Sequence, residues 1–245
     1  MVAPSKLLLI GPTAFRTFRN VWMLEELGVP YDHLATAAPW SKEAKEHHPM
    51  GKVPSLVATY DNDHTTTEKL VLYESAAINT FLGDAFANDE GMVSPSSSLL
   101  VPPPRTRQRA LYDQTVHCVM AEMDAQALWI HRKHESLGRV FGKSEEAVAE
   151  ARKQFRRAND SLARQLNPYL LGKDFTAADI LYVHCLDWAK SIGWEEEWNN
   201  NQEEESNHYT KDLHKYIDMC HSRPAYQRAV ERRNQERANR KKSNM

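Results

Sequence analysis

Three short stretches carry residue types that could do chemistry. In "HHPMGKVPSL" (His47–Leu56), Gly51, Lys52, Val53 and Pro54 run straight into an apolar segment. A proline cannot donate to a sheet ladder, so Pro54 belongs at the start of a strand over Ser55–Ala58. Val53 is then extended, and its N–H and C=O are open to pair with a ligand instead of a strand. In "LYESAAI", Ser75 begins a helix whose first N–H groups and positive dipole end favour an anion. Glu74 beside it offers a carboxylate, although a plain helix cap would account for the same pair. In "GPTAFRTFR" (Gly11–Arg19), Thr13 and Thr17 are hydroxyls and Arg16 a cation. A Thr13 hydroxyl can donate to an anion. Arg16 would favour the ionised form of an acidic neighbour, and helix N–H groups near Thr17 would do the same. Turn and cap duties for the threonines and a solvated Arg16 remain the alternative.

The pattern of elements around these stretches comes in two textures. "KLLLI" (Lys6–Ile10) reads as a buried strand. "FRNVWMLEELG" has Phe18, Val21, Trp22, Leu24 and Leu27 near helical spacing, with Gly28 as its stop. "VPYDHLA" restarts as a strand, which makes a βαβ unit. A loop rich in Pro, His and Lys follows, then strands "PSLVATY" and "KLVLYES" around the polar turn "DNDHTTTE", then a helix from Ser75. The order β-α-β-β-β-α is that of a thioredoxin-like domain, residues 1–87. Residues 88–104, rich in Pro and Ser, read as a linker, and residues 105–245 as an all-helical bundle domain. One stripe of its first helix runs Leu111, Thr115, Cys118, Glu122, Ala125 and Trp129. Another helix aligns Val148, Ala151, Phe155, Ala158, Leu162 and Leu166. In "DFTAADILYVHCLDWA", Thr176 and Asp179 form a capping box, with Phe175 and Ile180 as its hydrophobic staple.

Composition narrows the classes. A formal net charge of -2 and a pI ≈ 6.6 give no reason to expect nucleic acid or a membrane as partner. No run approaches the roughly 20 apolar residues of a membrane span, and Leu7–Ile10 is too short for a signal peptide's core. Three scattered cysteines, Cys118, Cys185 and Cys220, fit a reducing cytoplasm. His131, Arg132, Lys133 and His134 lack a third ligand or a water-activating carboxylate, so they read as a solvated basic face and no metal is expected. "GWEEEWNNNQEEESNHYT" reads as an exposed acidic loop. "ERRNQERANRKKSNM" reads as a basic helical tail that frays, serves solubility or pairs with that loop.

Taken in order and spacing, "RNVWMLEELGVPYD", "HPMGKVPSL", "LYESAAI" and "FTAADILYVHCLDWA" resemble the cytosolic glutathione S-transferases, over about Lys6–Tyr226. The resemblance implies that Pro54 is cis and that Val53 pairs by backbone with the cysteine of glutathione. It implies Lys52 at the glycyl carboxylate, the Ser75 hydroxyl and N–H at the γ-glutamyl carboxylate, and Glu74 at the ammonium. The family activates the thiol with a Tyr, Ser or Cys in this loop. The loop here most resembles members with a Ser-Arg-x-x-Arg run, whose serine position holds Phe15, followed by Arg16 and Arg19. That leaves Thr13, Arg16 or Thr17 to act on the thiol, or no dedicated group. Phe15, Tyr112, Thr115, His117 and Met120, with Val119, Met123 and Trp129 nearby, would line the pocket for a small apolar electrophile. The implied protein is a dimeric, cytoplasmic detoxifying transferase with glutathione as co-substrate. The same thiolate would also serve peroxide reduction. The alternative is a catalytically silent binding or assembly protein on the same fold, favoured by Phe15.

Overall fold

Leu7, Leu9 and Ile10 are buried along strand β1 (Lys6–Ile10), as a central strand covered on both faces requires. The computed structural model describes residues 3–62, 66–87, 99–195 and 206–243. Two compact units appear: Met1–Val101 with His221–Met245, and Pro102–Cys220.

In the first unit β1 pairs parallel with β2 (Asp32–Leu34) and antiparallel with β3 (Ser55–Asn62), which pairs antiparallel with β4 (Thr66–Tyr73). The strand order is β2-β1-β3-β4. Helix α1 (Thr17–Leu27) makes the crossover and stops at Gly28, whose φ of 66° and N–H bond to the Leu24 carbonyl close the last turn. Helix α2 (Lys42–His47), capped by the Ser41 hydroxyl, occupies part of the segment expected to be loop. It has six residues and a single buried one, Ala44, too little for periodicity to register. Helix α3 (Ser75–Ala85) completes the thioredoxin-like order. Of the expected hairpin turn, residues 63–65 lie outside the described part, as do residues 88–98 of the expected linker.

The second unit is helical. Thr106 caps α4 (Arg107–Cys118), and the chain continues in wide i→i+5 turns over Val119–Leu128 and Arg132–Ser136. Its buried face is Tyr112, Thr115, Val116, Val119, Met123 and Ala127, largely one residue over from the expected stripe, of which only Thr115 is buried. Leu111 is 38% exposed, because the neighbouring face gathers the larger apolar side chains. Helix α5 (Glu145–Ala163) buries Ala151, Phe155, Ala158 and Leu162 of its expected stripe, while Val148 is half-buried and Leu166 lies beyond the helix end. Helix α6 (Ala177–Ser191) carries the capping box between Thr176 and Asp179. Asp179 is fully buried and accepts from the N–H of Leu170, the N–H and hydroxyl of Thr176, and the hydroxyl of Tyr216 on α7 (Ser206–His221). Burial pushes its carboxyl above the usual range, against the pull of those four donors. His131 is not part of a solvated face. It is buried edge-on against Trp194, because the wide turns rotate it inward. Residues 196–205 of the acidic loop lie outside the described part.

The basic tail is the largest departure from expectation. Helix α8 (Pro224–Ser243) lies along α1 in the first unit instead of fraying. Arg223, on the approach to α8, holds Glu26 with two bonds of 2.6 and 2.7 Å. Arg228 and Arg232 hold Glu25 at 2.7 Å each. Tyr226 packs between Phe18 and Trp22, and Arg233 lies over the Phe18 ring. Glu25 and Glu26 sit at the C-terminal, electronegative end of α1, so arginines from α8 relieve an unfavourable placement.

Candidate functional site

The Val53–Pro54 bond is cis, and Val53 has no hydrogen bond among the described residues, while Ser55 next to it already pairs with Ile10 and Tyr73. Gly11 lies against this segment with φ 118°, and a Cβ there would meet the Val53 Cβ at 2.6 Å and Thr17 Oγ1 at 2.7 Å. Glycine is therefore required both for its backbone angle and for the close approach. Lys52 is exposed beside Val53.

Glu74 takes φ 70° and ψ 113°, a conformation that costs a non-glycine residue of order 1–3 kcal/mol and clusters at ligand sites. It turns the chain so that Ser75 opens α3. The first intrahelical bond runs from the Ile78 N–H to the Glu74 carbonyl, so the N–H groups of Ser75, Ala76 and Ala77 precede the ladder. Arg19, fully buried, donates to the Ser75 hydroxyl at 3.2 Å, and Asn20 donates to the Ser75 carbonyl and to Asn79. The hydroxyl thus accepts from Arg19 and keeps its own proton for an anion at the helix end.

Arg19 contacts Ser75, and His48 is influenced by Glu74 and Lys52, although neither was among the expected site residues. Arg19 and Asn20 are polar residues inside the apolar stretch of α1, which was the available signal. His48 is 3% exposed, with Nδ1 accepting the Met50 N–H at 3.0 Å and its ring 4.7 Å from that of Tyr73. Burial lowers its pKa, Lys52 adds to that, and Glu74 opposes. His48 therefore lies within electrostatic reach of both expected glutathione-binding charges.

The loop from Gly11 to Thr17 is tied down at several points. His33 Nε2 contacts the Gly11 carbonyl at 2.8 Å. Thr13, 3% exposed, donates both its N–H (3.0 Å) and its hydroxyl (2.7 Å) to Oε2 of Glu236 on α8. Thr17 Oγ1 is sealed from solvent and has no hydrogen-bond partner. Arg16 and Phe15 are half-buried at the start of α1. The structure thus brings Thr17 and Val53 together at Gly11, while Thr13 is held by Glu236. Among the expected electrophile contacts, Tyr112 and Thr115 are buried, with the Thr115 hydroxyl donating to the Leu111 carbonyl. His117 is exposed and Met120 half-buried. Among the described residues no helix is long and apolar enough to cross a membrane.

Comparison with known proteins shows the chain to be similar to glutathione S-transferases. Residues 16–85 match the glutathione S-transferase N-terminal domain, and residues 145–206 the glutathione S-transferase C-terminal domain. No curated protein sequence matches. Among solved structures, the glutathione transferase URE2P8 of Phanerochaete chrysosporium, crystallised with oxidized glutathione, superposes with a TM-score of 0.72 at 19% identity, covering 95% of this chain and 97% of its own. URE2P6 of the same organism, also with oxidized glutathione, gives 0.70 at 20% identity over 94% and 97%. Its Ure2p5, cocrystallised with 1-(S-glutathionyl)-2,4-dinitrobenzene, gives 0.71 at 14% identity over 95% and 96%.

Proposed function

Because the chain belongs to the cytosolic glutathione S-transferase family, we propose that it binds glutathione and transfers its thiolate to a small apolar electrophile. The observation that carries this reading is the start of α3: a buried hydroxyl fed by a buried guanidinium, at a helix N-terminus, behind a residue forced to positive φ. That combination is suited to a carboxylate. Ser75 would take the γ-glutamyl carboxylate and Glu74 the adjacent ammonium. Val53 would pair by its backbone with the cysteinyl residue, and Lys52 would take the glycyl carboxylate. Held at both charged ends, the thiol would lie over Gly11 at the N-terminus of α1, where helix N–H groups and Arg16 favour its ionised form. Acceleration would come from the larger thiolate fraction and from holding both reactants together.

A homodimer is part of the same reading; β4 is one of the two edge strands of its sheet and exposes Leu70, Val71 and Tyr73. So is a cytoplasmic location, which the scattered free cysteines support. Titration calorimetry with glutathione, followed by assays of conjugation to an electrophilic dinitrobenzene and of reduction of an organic peroxide with oxidation of two glutathiones to the disulfide, tests the proposal. Binding and transfer are expected, and Lys52→Ala or Glu74→Ala should weaken binding. Absence of binding by the wild-type chain would remove the reading.

One observation favours a silent binding protein instead. Neither loop hydroxyl is presented to a thiol: that of Thr13 donates to Glu236, and that of Thr17 is sealed under Gly11.

A further inference from the structure

Glu236 reaches the activating loop from 223 residues away, and two features make its contact chemical as well as structural. First, both Thr13 donors converge on one carboxylate oxygen, Oε2. A separation of 2.7 Å is the range of a charge-assisted O–H···O⁻ bond, so the hydroxyl proton is committed to the carboxylate. A hydroxyl has one proton, and Thr13 can then only accept. Second, the other oxygen, Oε1, is buried without a hydrogen bond and faces His33 Nδ1 at 3.5 Å. Nε2 of the same ring contacts the Gly11 carbonyl, which can only accept. Glu236 thus holds Thr13 directly and lies beside the His33 ring that contacts Gly11. Tyr31, which Glu236 influences electrostatically, also lies near it, together with the Arg232 and Glu25 that act on the same phenol.

Delivery of this carboxylate does not depend on Thr13. Helix α8 is fixed to α1 by Arg223, Arg228, Arg232 and the packing of Tyr226 against Phe18 and Trp22. Removing the Glu236 carboxylate therefore leaves the helix in place.

We propose that Glu236 is a positioning residue that sets the donor–acceptor state of Thr13, so that the C-terminal helix controls how readily a bound thiol ionises. The proposal rests on the glutathione reading above. With Glu236 ionised, Thr13 withholds its proton from the sulfur, and the nearby negative charge further disfavours a thiolate. With the carboxylate removed, the Thr13 hydroxyl turns to donate to the sulfur. This resolves the contradiction between an intact binding site and a loop whose hydroxyls are occupied. The loop is held in a restrained state by a residue on α8.

The test is an ultraviolet titration of the thiolate in saturated complexes with glutathione, alongside calorimetric affinity. The proteins are the wild type, Glu236→Ala, Glu236→Gln, Thr13→Val and the Thr13→Val/Glu236→Ala double variant. Glu236→Ala should lower the apparent thiol pKa by about one unit, raising the thiolate fraction at neutral pH severalfold. Glu236→Gln keeps the shape and an acceptor but loses the charge, so its shift should be smaller and of the same sign. It also serves if Ala loosens the helix. In the Thr13→Val background the effect of Glu236→Ala should shrink, which a purely structural role of Glu236 would not produce. Unchanged or raised thiol pKa in both Glu236 variants, with affinity intact, overturns the proposal alone. No binding by any of the proteins removes the glutathione reading and this inference with it.

Discussion

Asp179 and Glu236 are both carboxylates that gather hydrogen bonds from elsewhere in their units, yet they do opposite things. Asp179 is fully buried, and its two oxygens take four donors, three of them within nine residues along the chain. Its network is closed, so its role is to lock the start of α6. Glu236 is partly exposed, takes two donors from one residue, and leaves an oxygen unsatisfied. Its network is open, and an open network at a reactive loop can change state. A saturated carboxylate fixes a fold, whereas an under-satisfied one at a binding site can tune chemistry.

That contrast can be broken most sharply at Asp179. Asp179→Ala orphans several buried donors, and we expect a loss of about 3–5 kcal/mol in urea unfolding. Tyr216→Phe, removing one donor, should cost about 1 kcal/mol. A cost below that of a surface substitution for Asp179→Ala would mean the closed network is not what holds α6. Next comes the clamp on α8. Arg223→Ala breaks the paired bonds to the largely buried Glu26 and should cost about 1.5–3 kcal/mol. It should also loosen α8, so amide exchange along Pro224–Ser243 should rise. No change in exchange would show that the aromatic contacts alone hold the helix.

Smaller effects sharpen the picture at the site. Lys52 is exposed and makes no structural bond among the described residues, so Lys52→Ala should weaken glutathione binding about fivefold, as a partly solvated ion pair does, while leaving the unfolding midpoint unmoved. Equal affinity would remove Lys52 from the site. The smallest expected effect is that of pH. Burial lowers the pKa of His48 and of His131 in the folded chain, so the unfolded chain binds protons first as pH falls. Stability is therefore complete above the ordinary imidazole pKa of about 6.5 and declines as pH drops through the lower folded values. His48→Asn and His131→Phe should each flatten that decline, readable as the urea midpoint between pH 7 and 5. A slope unaffected by both substitutions would place the lost protons elsewhere.

How much of this was legible in the sequence follows the same division. Features written by neighbours in the chain were readable: β1, the Gly28 stop of α1, the stripe of α5 and the Thr176–Asp179 capping box. Spacing alone placed the α4 stripe one residue off, because wide turns and a more apolar adjacent face decide burial there. The unpaired backbone of Val53 and the start of α3 at Ser75 were readable because each lies at an element's boundary, where spare backbone groups are set locally. Arg19 was passed over because a buried guanidinium is explained only by its partner Ser75, 56 residues on. The tail misled most. Its many arginines look solvated in sequence, and only the fold reveals Glu25 opposite Arg232 and Thr13 opposite Glu236.

The measurement closest to the centre is a crystal structure of the chain soaked with glutathione. We expect the tripeptide to extend along Val53 with both backbone groups of that residue engaged, its γ-glutamyl carboxylate at the Ser75 end of α3, and its sulfur above Gly11 near Thr13. A saturating soak that leaves Val53 and Ser75 without ligand, or that places the tripeptide elsewhere, would contradict it.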